Sequence, residues 1–138
     1  MDAREYFDSV EAAVREHRAA ELTLAFGEPR RGQGGRSSLP GDPTARAAES
    51  SARARATLDR TDAVIGEALR RIDGLRLLVG RKAEVMELRH ISLMTWPDLA
   101  RELGISESTA RRWHDVCCDC ADAYGWAHVV NATGGAEG

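Results

Sequence analysis

Three features of the 138-residue sequence predict an all-α fold, with a long N-terminal helical hairpin or coiled-coil segment and a C-terminal helix-turn-helix bundle. The composition is rich in Ala and Arg, poor in aromatics and 30% charged, which favours helix over sheet. β-Branched residues are scattered and never alternate over a useful run, so no strand is expected. The stretch Trp96 to Trp113, WPDLARELGISESTARRW, has the apolar spacing of two short helices joined by a tight turn.

The first helix is expected from Asp2 to about Phe26. Tyr6, Val10, Val14 and His17 recur at spacings of three and four, Ala13 and Ala20 fill the stripe, and charges take the other faces. Gly27, Glu28 and Pro29 stop it. Residues 27–43 are rich in Gly, Pro, Ser and Arg and read as a flexible linker. Thr44 to Val79 reads as a long helix whose second half carries a heptad-like seam: Leu58, Ile65, Ile72 and Val79, with Thr61, Ala68 and Leu75 between. Neither long helix can bury its stripe alone. They pair either as an antiparallel hairpin or between two chains, the latter giving a homodimer.

Gly80 marks a break, and Lys82 to Met94 reads as a short amphipathic helix. Thr95-Trp96-Pro97-Asp98 forms a capping box, with Pro97 in the first turn where no N–H is needed. Leu99 and Leu103 then make a buried stripe, and Ala100 permits a close helix crossing. Gly104 allows the positive φ of a sharp reversal, Ile105 plugs the turn, and Ser106 N-caps the last helix. Ala110 and Trp113 face back into the core. That helix is expected to reach about Tyr124, with Gly125 ending it. The expected domains are an elongated helical segment 1–79, a helix-turn-helix domain 80–130 and a disordered tail 131–138.

The net charge of −3 does not resemble a strongly basic nucleic-acid binder. It is unevenly spread: residues 1–26 and 117–138 each carry −3, while 27–79 is mildly basic and 80–116 is balanced. DNA contact must therefore come from a local patch, with modest non-specific affinity. No apolar run is long enough to span a bilayer, and the N-terminus lacks a secretory signal pattern, so a cytosolic protein is expected. Cys117, Cys118 and Cys120 lie on one helix and point around different faces. They suit a reducing compartment and make no metal site. Cys117 and Cys120 share the apolar side with Trp113 and Tyr124, which leaves Cys118 as the exposed thiol. No cofactor is implied and no catalytic constellation is visible, because RRGQGG lacks a strand-turn-helix context.

Within the segment from Ala83 to about Tyr124, the stretch AEVMELRHISLMTWPDLARELGISESTARRWHD, which ends at Asp115, resembles region four of bacterial sigma factors. It is still more similar to ArpU-type phage transcriptional regulators. A looser likeness extends to Ile65, Leu69, Ile72 and Leu75. The resemblance implies a phage or prophage regulator of transcription in a bacterial host cytosol, with double-stranded DNA as partner and RNA polymerase as a further one. Carried over by position, the reading face comprises Ser106, Glu107, Ser108 and Thr109, with Arg111 and Arg112 one turn on. An Arg pairs bidentately with guanine, and a wrong base there costs roughly 1–3 kcal/mol. Arg81, Lys82, Arg101 and His114, the last read as exposed, are candidates for phosphate contacts. Trp96 and Trp113 fall on the apolar register and read as core. Two other readings stand beside this one: a small-terminase-like packaging subunit, and a protein-interaction module that contacts RNA polymerase without DNA.

Overall fold

A computed structural model describes residues 1–27 and 43–124. Helix α1 spans Ala3–Phe26. Its start is capped by Asp2, whose Oδ1 accepts from the Glu5 N–H at 2.8 Å. Helix α2 spans Pro43–Val79 and α3 spans Glu84–His90, with a 3-10 turn over Gly80–Ala83 between them. Helices α4, Trp96–Leu103, and α5, Glu107–Tyr124, complete the described residues. Among the described residues there is no strand. The fold is all-α with a C-terminal helix-turn-helix. Apart from Gly27 and Pro43, the expected linker 27–43 lies outside the described residues, as do the helix end at Gly125 and the tail 131–138.

The chain divides into two compact units, Arg15–Ala63 and Met1–Val14 with the chain from Val64 on. In the Arg15–Ala63 unit, α1 and α2 pack on each other within one chain. Thr61, expected on the seam, is fully buried. Its hydroxyl donates to the Thr57 carbonyl at 2.8 Å and accepts from His17 Nδ1 at 2.9 Å. Glu16 and Arg60 close the edge at 2.7 Å.

The other unit holds two apolar clusters. The first joins Tyr6, Phe7, Val10 and Val14 of α1 to Ala68, Ile72 and Leu75 of α2, with Met86, Cys117 and Cys118. Phe7 is the largest of its fully buried side chains, although the spacing argument passed it over. The second cluster is Val85, Leu99, Ala100 and Ala110, with Leu88, Trp96, Leu103, Ile105 and Trp113 partly buried around it. Of these, Leu99, Ala100, Leu103, Ile105, Ala110 and Trp113 are the residues whose spacing predicted two crossed helices.

The expected helix over Lys82–Met94 is divided. Its first turn is 3-10 and its α-helical part ends at His90. Leu93 then takes φ +59°, a left-handed conformation that costs a leucine roughly 1–2 kcal/mol. Packing of its side chain on the first cluster offsets that cost. The turn is further closed by the Met94 N–H to Leu88 O at 3.0 Å and by Arg89 Nη1 to Met94 O at 2.9 Å.

Cys118 is fully buried, not exposed, and Cys120 is half-buried. The reason is the start of α1, which docks on α5. Asp122 accepts from the Ala3 N–H at 2.8 Å, and Arg4 pairs with Asp115 and Asp119 at 3.2 and 3.4 Å. That docking covers the side of α5 which local spacing leaves open. Tyr124, placed on the apolar side, is exposed.

Candidate nucleic-acid interface

The turn between α4 and α5 is built by its sequence. Gly104 sits at φ +70° and donates to Arg101 O at 3.2 Å, while Ile105 N–H reaches Ala100 O at 3.0 Å. This pair of bonds is the Schellman closure of a helix C-terminus, and Ile105 and Ala100 belong to one apolar cluster, as that motif requires. At the start of α4, the Asp98 N–H donates to Thr95 Oγ1 at 3.3 Å. The Asp98 carboxylate does not complete the capping box; it pairs with Arg101 at 3.2 Å. Ser106 caps α5, accepting from the Thr109 N–H at 3.1 Å.

The N-terminal half of α5 is open. Ser106, Glu107, Ser108, Arg111 and Arg112 are exposed, Thr109 is half-buried and Ala110 is buried. Successive helical residues turn by about 100°, so Ser108 and Arg112 point away from the core while Arg111 and Trp113 lie on opposite flanks. The Arg112 Nη2 donates to Thr109 Oγ1 at 3.3 Å. Arg111 is held by the protein itself: its guanidinium lies over the Trp96 ring, 4.8 Å from the centroid, with Glu107 4.0 Å away. Arg89 lies over the same ring at 5.0 Å. Across the helix, Arg81 and Lys82 lie over Trp113 at 5.5 and 5.9 Å. Arg81 also donates to the Leu103 carbonyl at the end of α4. Both tryptophans are thus half-buried, one side in the core and one side under cations.

Charge neutralisation differs around this surface. Arg76 meets Asp73, Glu84 and Glu87, which clips α2 to α3, and Arg101 meets Asp98. Among the described residues no carboxylate lies within 4.0 Å of the side chains of Arg81, Lys82, Arg89 or Arg112. Of the four acids of α5, Glu107 stands in the first turn beside Arg111, Asp115 lies mid-helix, and Asp119 and Asp122 lie in the C-terminal half; Asp115 and Asp119 bind Arg4.

His114, expected at the surface, is half-buried in a polar chain. Glu11 Oε2 lies 2.6 Å from His90 Nδ1, His90 Nε2 lies 2.8 Å from His114 Nε2, and Cys118 Sγ lies 3.8 Å from His114 Nδ1. With both rings neutral, all three contacts are satisfied when the thiol donates to His114, His114 Nε2–H donates to His90, and His90 Nδ1–H donates to the carboxylate. Burial holds them so, lowering each histidine to about 4 and raising the Cys118 thiol to about 12. With both nitrogens engaged internally, His114 is not presented to a phosphate. The Arg89 site was missed from sequence. Its link to Trp96 crosses a non-helical turn, so no helical spacing reports it.

Residues 76–115 match the homeodomain-like domain family. The chain carries a helix-turn-helix of the DNA-binding type. No curated protein and no solved structure matches the chain. No helix of the described residues is long and apolar enough to cross a membrane.

Proposed function

We propose that this protein is a phage- or prophage-type transcriptional regulator, acting in the bacterial host cytosol, that reads duplex DNA sequence-specifically through a sigma-region-four-like helix-turn-helix. One observation carries the reading: Arg81, Lys82, Arg89 and Arg112, which have no carboxylate partner among the described residues, surround the open N-terminal half of α5. A polyanion meeting these four side chains is attracted without first breaking an ion pair of theirs.

In this reading α5 enters the major groove by its N-terminal half. Ser106, Ser108, Thr109, Arg111 and Arg112 face DNA, and Glu107 accepts from a cytosine amino group. Arg81 and Lys82 meet phosphates, and Arg101 does so once it leaves Asp98. The acidic C-terminal half of α5 is kept from the backbone by repulsion. Residues 1–79 form the dimerising segment and 80–130 the DNA-binding domain, so two copies read two half-sites. Exposed Leu22 and Phe26 on α1 support an interface between copies. RNA polymerase is the further partner, and the role is not enzymatic.

The test is in vitro selection of duplexes by the parent protein, followed by binding of the Arg111→Ala/Arg112→Ala variant. The variant is expected to lose its preference for selected over random duplex with its helical circular-dichroism signal intact. Equal preference in variant and parent overturns the assignment.

A further inference from the structure

We infer that the two tryptophans hold a pair of phosphate clamps, Arg89 with Arg111 on Trp96 and Arg81 with Lys82 on Trp113, one clamp for each strand of a bound duplex. Base reading then falls to Arg112 between them. The inference rests on the duplex-DNA reading above and divides labour within that surface.

Three observations lead here. The first is placement. Trp113 and Arg111 are two residues apart on α5, hence about 200° apart around its axis. Their cations therefore flank the helix on opposite sides, while Arg112 and Ser108 point outward between them. A helix about 10–12 Å across nearly fills a major groove about 12 Å wide, so its flanks meet the two phosphate backbones and its outward face meets the base edges.

The second is restraint. A base reader has to reach into the groove. Arg111 is instead drawn sideways onto an indole 4.8 Å away. Arg89 is fixed twice, by the same ring and by the Met94 carbonyl, and Arg81 likewise by Trp113 and the Leu103 carbonyl. Cations held this way lose little freedom on meeting a phosphate, and a stacked guanidinium keeps its N–H edge available for one. Among the described residues the Arg112 side chain hydrogen-bonds to Thr109 alone, and it keeps the reach that base contact needs.

The third is charge. Each indole gathers two like charges, and among the described residues their one carboxylate neighbour is Glu107, 4.0 Å from Arg111. Like charges gathered at one ring repel, and a phosphodiester at each relieves the repulsion. Trp96 and Trp113 are positioning residues in this scheme, because they set where the cations stand.

The experiment measures binding against salt concentration for the parent and three variants, on a random-sequence duplex and on the duplex enriched by the parent. The variants are Arg89→Gln/Arg111→Gln, Arg81→Gln/Lys82→Gln and Arg112→Gln. Each phosphate contact contributes about 0.9 to the slope of log K against log salt. Each flanking pair is therefore expected to flatten the slope by about 2 on both duplexes, with the selected-to-random ratio kept. Arg112→Gln is expected to lower that ratio about tenfold or more and to change the slope by at most about 1. Arg89→Lys/Arg111→Lys keeps the charges and the parent slope, which separates charge from fold should a Gln pair lose helical signal. An unchanged slope in the flanking variants, or a ratio that collapses in them, overturns the clamps while leaving the DNA reading standing. A parent that binds neither duplex overturns the DNA reading itself.

Discussion

Acidification tests the buried chain from Glu11 to Cys118. His90 is 4% exposed, and its only ring N–H is committed to Glu11 at 2.6 Å. A second proton would have to enter at Nε2, which already receives the His114 N–H at 2.8 Å. His114 would then have to move its own proton from Nε2 to Nδ1, in a site buried from solvent and beside the Arg89 cation. The folded ring therefore resists protonation until about pH 4, whereas an unfolded histidine takes its proton near 6.5. Where the unfolded chain binds the extra proton, stability falls as pH falls. The contribution is fully present above 6.5, is lost between 6.5 and 4, and is flat below. For His90 the loss comes to about 3 kcal/mol. His114 is driven the same way but contributes less, because water reaches it. Urea unfolding followed by circular dichroism at intervals between pH 7 and 4 measures this directly. Carboxylates add their own loss at the acid end, so the comparison is with His90→Gln/His114→Gln, which lacks both rings. The parent should lose more stability than that variant across the window. Equal losses in the two proteins, or a parent whose stability is level from 6.5 to 4, would refute the neutral-ring assignment.

Two further outcomes follow from local geometry. Gly104→Ala should cost about 1–2 kcal/mol, because φ is +70° while the added Cβ meets nothing within 4 Å. Gly104→Asn should cost less, since Asn tolerates that conformation, and equal urea midpoints for the two variants would contradict a backbone cause. Thiol labelling of the native protein should modify Cys120 first. Cys117 and Cys118 are fully buried with thiols pushed up to about 12, so early modification of Cys118 in a peptide map would show that the contact between α1 and α5 opens readily.

The helix-turn-helix was legible because its determinants are local. Leu99, Ala100, Gly104, Ile105, Ser106 and Ala110 act through neighbours within about two turns of chain, and each takes the role its spacing implies. The exposure of Ser106, Glu107, Ser108, Arg111 and Arg112 follows from the same periodicity. The open alternatives for the two long helices were a different matter. Amphipathic stripes state that a partner exists without naming it, and here Phe7, Val10, Ile72 and Leu75 meet within one chain.

By itself the sequence determined the helices, the turn at Gly104 and the outward face of α5. Those depend on backbone propensity and a period of 3.6 residues, which a linear string carries. Only the tertiary structure decided which cations stand unneutralised, that Arg89 and Arg111 share Trp96, and that His114 and Cys118 lie inside. Each of these depends on side chains meeting across a turn or across separate helices, such as Arg4 with Asp115 and Glu11 with His90. Such meetings are fixed by packing, and chain spacing leaves no trace of them.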